Sequence, residues 1–429
     1  MSTPSVPDDG PPPETTVTCA PSIAYLPAVL PVASTDAKVI CHACGQSEML
    51  PVADLGAVPV LCGVHWASQA EAMASPVGQI RLAYCPTCAY TRNVAFDPNI
   101  MVYDKTMDTN LHYSPAFAEF TTELVHDLCQ RHALAGKRVL DIGCGQGEFL
   151  RELCAHGRCR GIGYDAMYAG RPGRHGPATF HSHLAPRGRD LPPYDFFTSR
   201  HWLEHLADPF DFLVDLWQAA QGREVHGYVE VPDAAYDLAT AGWEVIYPHV
   251  SYFDTYSLCR IFARAGWSVE AAGHLFSGMF TYVEVSANRS GVSRRPAEQA
   301  AILPALDARD RQLAAIHGFS QRHQTNRQQW RSAIATMNAR DCRPVLWGAG
   351  SRGVQFLTLA DAQRGLCAVV DVNPRKWGRY LPVSGHRVDC PESLAGLQPR
   401  AVLITNPAYE PEIARSLAAM GVNAEVLVA

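Results

Sequence analysis

The chain has 429 residues, 47% of them apolar, and 36 basic against 42 acidic side chains give a net charge of −6. Its length predicts two to three domains of roughly 150 residues, and its apolar content is enough for a core in each. A mildly acidic chain with no long basic run is a poor match for nucleic acid or an anionic membrane. No stretch approaches the roughly 18 uncharged apolar residues of a membrane helix.

The chain opens with MSTPSVPDDGPPPETTV, acidic and proline-rich, without the positive segment and apolar run of a signal peptide. Residues 1–36 read as a flexible tail, and the expected location is the cytoplasm. Fourteen cysteines in so long a chain do not make a secreted disulfide framework. Ten are scattered and read as small core residues. Residues 37–100 are short-stranded and turn-rich, and here the other four cysteines stand in pairs.

CHAC supplies Cys41 and Cys44, and CPTC supplies Cys85 and Cys88. Two residues between cysteines let both thiolates of one turn reach a single ion, and two such turns complete a tetrahedral site. Four protein ligands leave no place for water, so the zinc expected here is structural. A redox pair or plain core cysteines are the alternatives, and Cys62, His42 and His65 are spare ligands.

Pro115 to Ala135 reads as a helix, with Phe117, Phe120, Leu124 and Leu128 on one face and Ser114–Pro115 as its start. Strands and helices then alternate to about residue 290, which predicts a parallel sheet covered on both faces. VLDIGCGQGEFL is a strand that delivers Asp141, followed by a turn through Gly143, Gly145 and Gly147 into a helix. Glycines let a ligand lie against the backbone. The second strand ends in Asp165, placed to hold a ribose diol. The third runs into HWLEHLADP.

That order resembles the class I S-adenosylmethionine-dependent methyltransferases. The resemblance implies that Asp141, Gly143, Gly145 and Asp165, with Gly147 completing the turn, hold S-adenosylmethionine. An NAD-binding domain is the alternative, but its loop is spaced G-x-G-x-x-G.

ANRSGVSRRPAEQ marks a boundary, and residues 291–340 read as a helical connector. Residues 341–429 alternate again, with four short β-rich segments. Gly348, Gly350 and Gly353 make a G-x-G-x-x-G, and Asp371 follows about 20 residues later, the spacing of a dinucleotide fingerprint. The helix start behind such a loop also suits a substrate phosphate, pyrophosphate or carboxylate. A purely structural turn is the third reading.

A two-knuckle cysteine module, a methyltransferase core at 101–290 and a C-terminal Rossmann-like α/β domain opening with GAGSRG resemble one family as a set. These are the three-domain C-methyltransferases of deoxysugar biosynthesis and their natural-product relatives. The segments VLWGAGSRGVQFL, VVDVNPRKWGRYLPVSGHRV and VLITNPAYEPEI carry the resemblance furthest. It implies methylation of a carbon next to a ketone on a nucleotide-linked sugar.

The resemblance also places catalytic histidines at His205 in WLEHL and His249 in IYPHVSYF. Pro248 stands where the family carries a glutamate, and Glu204, Tyr247 and Tyr252 are nearby residues that could take over part of its task. Tyr103, His112 and Tyr113 match a tyrosine-containing leading segment loosely. A carbon acceptor needs a base for its α-proton and a donor for the enolate oxygen. Nitrogen or oxygen acceptors need less, and the histidines fit both cases. An NAD-dependent oxidoreductase using the C-terminal fingerprint is the alternative from another class. The expected partner is a small molecule, with a phosphate or nucleotide as its handle, for a monomer or dimer that binds neither nucleic acid nor membrane.

Overall fold

The computed structural model describes residues 39–103, 106–108, 110–220, 222–287, 312–360 and 365–429. The proline-rich start and, from residue 288 on, the ANRSGVSRRPAEQ boundary lie outside the described residues. Three sheets organise the rest.

The first sheet is antiparallel and holds β1 (Leu50–Pro59), β2 (Val77–Tyr84) and β3 (Thr91–Asn93), with helix α1 (Gln69–Met73) between the first two. Its strands are longer than the turn-rich sequence suggested. A two-residue strand from mid-chain, Ser251–Tyr252, closes its edge against β3. The cysteine module and the middle of the chain therefore share a ladder.

Helix α2 (Pro115–Arg131) begins as its sequence predicts. Ser114 accepts a hydrogen bond from the Phe117 amide, and Pro115 takes the first position, where no amide is needed. It buries Phe117, Thr121, Leu124, Val125 and Leu128. The second sheet follows, with β4 (Arg138–Ile142), β5 (Arg160–Tyr164), β6 (Gly173–His175), β7 (Ala178–His181), β8 (Phe196–Arg200), β9 (Val225–Pro232), β11 (Ser268–Leu275) and β12 (Phe280–Ala287); Ser251–Tyr252 is β10. Spatial order is β11-β12-β9-β8-β4-β5-β7-β6. The five strands β7, β5, β4, β8 and β9 run parallel, and β12 is antiparallel to both its neighbours.

Connecting helices are α3 (Glu148–Gly157), α4 (Pro209–Ala220), α5 (Ala234–Ala239) and α6 (Thr255–Arg264). The chain leaves β4 in one direction for β5 and returns on its other side as β8. Ligands of doubly wound sheets bind beyond the strand ends at such a reversal, and there the turn of Gly143, Gly145 and Gly147 lies.

Helix α7 (Phe319–Ala339) leads to the third sheet, which is wholly parallel in the order β15-β14-β13-β16-β17. Its strands are β13 (Val345–Trp347), β14 (Ala368–Val370), β15 (Val388–Asp389), β16 (Ala401–Ile404) and β17 (Glu425–Val428). Its helices are α8 (Ser351–Leu359), α9 (Leu394–Leu397) and α10 (Glu410–Ala419). The sequence suggested four β segments here. The fifth, β15, is two residues long and runs into Cys390–Pro391, too short for any alternation to show. The second glycine turn follows β13, again at a reversal.

Among the described residues no helix is long and apolar enough to cross a membrane. Side chains tie the parts together. His65 Nε2 bonds the Ala349 carbonyl at 3.1 Å, Ser114 Oγ donates to Glu412 at 2.7 Å, and Arg264 reaches the Ala43 carbonyl.

Candidate active site and cysteine cluster

One cavity of about 480 Å³ runs between the second and third sheets and is lined by both glycine turns. Asp141, Gly143, Gly145 and Asp165 stand at one end. Gly348, Gly350, Gly353 and Asp371 stand at the other, with Glu204, His205 and His249 between them.

At the first turn Gly143 has φ +76°, and a Cβ there would meet Trp202 at 2.4 Å, so no other residue fits. Gly145 has φ +54° and nothing within 4 Å of where its Cβ would be, so its bare side opens a cradle. Gly147 caps α3 but does not line the cavity.

Asp165 accepts from the Gly145 amide at 2.8 Å and the Met167 amide at 2.6 Å. Each oxygen keeps a lone pair for a further donor. Asp141 is 2% exposed and accepts from Thr198 Oγ1 at 2.7 Å. Burial raises its pKa to about 7, and the Thr198 hydrogen bond and the attraction of Arg200 offset only part of that rise. An open cradle, a diol acceptor and a buried carboxylate whose burial is only partly offset fit a cofactor that carries a ribose and an ammonium.

In mid-cavity, a 3-10 turn at Leu203–His205 follows β8. His205 donates from Nδ1 to the Pro248 carbonyl at 2.9 Å, and the Tyr103 hydroxyl lies 3.2 Å from the same nitrogen. Nε2 of His205 is left for a ligand. The His249 ring sits edge-on, 5.0 Å from His205 between centroids. It bonds the backbone carbonyl of Glu244, and Glu244 Oε1 lies 4.0 Å from its Nε2. Burial lowers both histidines to about 3, so both rings are neutral. Glu204 is 2% exposed, and neither oxygen has a partner beyond its own backbone. Burial pushes its pKa well up.

Tyr247 and Tyr252 do not join this group. The Tyr247 hydroxyl is engaged by the Asp97 backbone at 2.8 and 3.2 Å. The Tyr252 hydroxyl donates to the Ile246 carbonyl at 3.1 Å. Both rings are buried outside the cavity lining. Nearness in sequence misleads here because both hydroxyls are taken by backbone groups, of Asp97 and of Ile246. Tyr103, His112 and Tyr113, placed loosely by sequence, do line the cavity.

Sequence reasoning missed Arg352 and Glu244. Arg352, inside GAGSRG, crosses from α8 to bond Asp237 at 3.1 Å and Glu244. The signal was an arginine behind a glycine turn, which on sequence alone reads as an anion ligand.

At the second turn Gly348 and Gly350 are open, whereas a Cβ on Gly353 would meet the Gly348 carbonyl oxygen at 2.1 Å. No side chain caps α8. Asp371 accepts from the Ala349 amide at 2.7 Å, the Asn373 amide at 2.8 Å and Lys376 Nζ at 2.9 Å. Despite burial, Lys376 and these amides hold its pKa below the usual carboxylate range. An acid so engaged is poorly placed to take a ribose, as a dinucleotide fingerprint requires.

The four paired cysteines converge away from this cavity. Cys41 Sγ lies 3.6 Å from Cys88 Sγ, and Cys44 Sγ 3.6 Å from Cys85 Sγ. All four sulfurs fall within 4.8 Å of one another and are buried. A tetrahedral site with bonds of about 2.3 Å has sulfur–sulfur edges near ~3.8 Å, so the set fits zinc. The spare ligands turn elsewhere: His42 bonds Asp208 at 2.6 Å, His65 bonds Ala349, and Cys62 lines the large cavity.

The fold and this cavity define a methyltransferase of the S-adenosylmethionine-dependent class. Residues 112–272 match the family model of a methyltransferase domain, and residues 284–428 match that of a C-methyltransferase C-terminal domain. The chain is an S-adenosylmethionine-dependent methyltransferase that carries both of these domains. No curated protein matches it.

Solved structures similar to part of it include an S-adenosylmethionine-dependent methyltransferase from Mesorhizobium loti. That one is 15% identical over 37% of this chain and 96% of its own, with a TM-score of 0.30. The Burkholderia thailandensis 1,6-didemethyltoxoflavin-N1-methyltransferase is 14% identical over 41% and 81%, also at 0.30. Magnesium protoporphyrin IX methyltransferase from Synechocystis PCC 6803 is 16% identical over 40% and 83%, again at 0.30.

Proposed function

We propose that this enzyme methylates a carbon next to a carbonyl in a small natural-product intermediate, such as a nucleotide-linked keto-sugar, in the cytoplasm. The observation that carries the reading is the single cavity. It joins the glycine turn of the core, the Glu204–His205–His249 group and the open turn of the C-methyltransferase C-terminal domain.

In this reading Asp165 takes the ribose hydroxyls of S-adenosylmethionine and Asp141 faces its ammonium. The bound cofactor supplies an electrophilic methyl group. Glu204, His205 and His249 face the acceptor's carbonyl, where an α-proton must be taken and the enolate oxygen held. The amides at Gly348 and Gly350 take a phosphate or carboxylate at the far end of the substrate. The cysteines hold a structural zinc.

The test uses a keto-sugar nucleotide in deuterated water with S-adenosylhomocysteine in place of the donor. The α-hydrogen is expected to exchange without methyl transfer. Methylation of a substrate whose carbon positions never exchange would place the acceptor on nitrogen or oxygen instead.

Calorimetry with S-adenosylhomocysteine tests the cofactor end. Asp141 titrates near pH 7 in the free enzyme, and an ammonium beside it lowers that value. Binding should therefore release about half a proton at pH 7, more at pH 6 and little at pH 8. Affinity should rise with pH across that range. The sign for folding is opposite: an acid raised from its ordinary 3.8 costs the unliganded fold stability as pH climbs from about 4 to about 7. Asp165→Ala should weaken binding about tenfold or more, for loss of a contact worth roughly 1.5–3 kcal/mol. Unchanged affinity in the folded variant would put the ribose elsewhere.

A further inference from the structure

The geometry points to a second metal site, in the active-site cavity, where Glu204, His205 and His249 hold one divalent cation of the Zn2+ or Fe2+ kind against the acceptor's carbonyl oxygen. The inference rests on the proposed reaction for where the carbonyl lies, and adds how the three side chains act on it.

Three observations support it. One ligand atom from each residue lies within 4.8 Å of the others. Cation bonds of about 2.0–2.2 Å need roughly 3–3.5 Å between ligands, so side-chain shifts of about an ångström close the set. Each imidazole is already fixed through one nitrogen by a backbone carbonyl, His205 to Pro248 at 2.9 Å and His249 to Glu244. Metal-binding histidines are commonly oriented that way, with the other nitrogen turned to the ion. Finally, Glu204 is 2% exposed on the cavity wall without a donor to either oxygen beyond its own backbone. A buried carboxylate so poorly partnered is costly, and a cation removes the cost. Two histidines and one carboxylate leave positions open for substrate and water.

A cation there draws off the charge that forms as the α-carbon loses its proton. The C–H bond breaks and its proton passes to a hydroxide in an open position, giving water. The electron pair moves onto the carbonyl oxygen as an enolate, which the cation holds. Attack of the enolate carbon on the methyl group restores the carbonyl, and the donor leaves as a neutral thioether.

The test titrates the zinc-loaded, full-length enzyme with Co2+ and follows its visible ligand-field bands. One equivalent beyond the thiolate-bound zinc is expected, without sulfur-to-metal charge transfer. His249→Ala and Glu204→Gln should each bind that equivalent at least tenfold more weakly, while zinc content and S-adenosylhomocysteine affinity stay unchanged. If the wild type takes up no cobalt, or folded His249→Ala binds it as tightly, the metal site is overturned. Either result leaves the α-exchange experiment to judge C-methylation separately, since imidazoles acting directly would still support exchange.

Discussion

Cys41→Ser should remove one equivalent of zinc and lower the melting temperature more than any single surface change in the chain. Structural zinc contributes an apparent ~10–16 kcal/mol to the fold that holds it, against about 5–15 kcal/mol for a whole domain. Four buried sulfurs within 4.8 Å of one another have little use for that geometry without an ion. The loss should spread. β3 of the cysteine module pairs with β10, and Tyr90 bonds Ser251 at 2.5 Å, two residues from His249. Arg264 on α6 reaches the carbonyl of Ala43, between the two cysteines of the first knuckle. Elemental analysis and thermal unfolding of Cys41→Ser beside wild type decide it. Turnover per folded molecule should fall less than the folded fraction. Equal zinc content and equal melting temperature would remove the thiolate site.

What could be read from the sequence was local. The glycine turns follow strands and precede helices because their spacing demands it, and Ser114–Pro115 starts α2 for reasons carried by those two residues. The cysteine knuckles also declared themselves, each being a four-residue unit. What escaped depends on long-range packing. Nothing near Arg352 in sequence says that its guanidinium is spent on Asp237 and Glu244, more than a hundred residues away. Nothing near Glu204 says that its carboxylate is left without a donor beyond its own backbone. Tyr247 and Tyr252 show the converse: they lie beside His249 in the chain, yet their hydroxyls are consumed by backbone groups of Asp97 and Ile246. The pairing of Asp371 with Lys376 likewise alters the meaning of a spacing that matches a dinucleotide fingerprint.

His249→Ala should cost about 10²–10⁴ in the rates of α-hydrogen exchange and methyl transfer, the range for losing the acid–base catalysis that the imidazole supplies, whether it takes the proton itself or holds the cation whose hydroxide does. S-adenosylhomocysteine affinity should stay within about twofold, because Asp141 and Asp165 lie at the other end of the group. Pro248 raises the question of what orients this imidazole, since a proline offers no carboxylate. The structure provides a substitute from outside the local sequence. The backbone carbonyl of Glu244 accepts from the ring, and the Glu244 side chain stands 4.0 Å away. Arg352, from the glycine turn of the C-terminal domain, grips that carboxylate and Asp237 together. The C-terminal domain thus reaches the imidazole through one buried ion-pair network, and breaking such a network leaves uncompensated charge behind. Arg352→Ala should therefore lower exchange and methyl transfer too, by a smaller factor than His249→Ala, again without loss of S-adenosylhomocysteine binding. Rates of exchange and transfer measured for both variants, with calorimetry as the check on folding, separate the outcomes. If His249→Ala exchanges the α-hydrogen at the wild-type rate, the imidazole is packing and the proton leaves by another route.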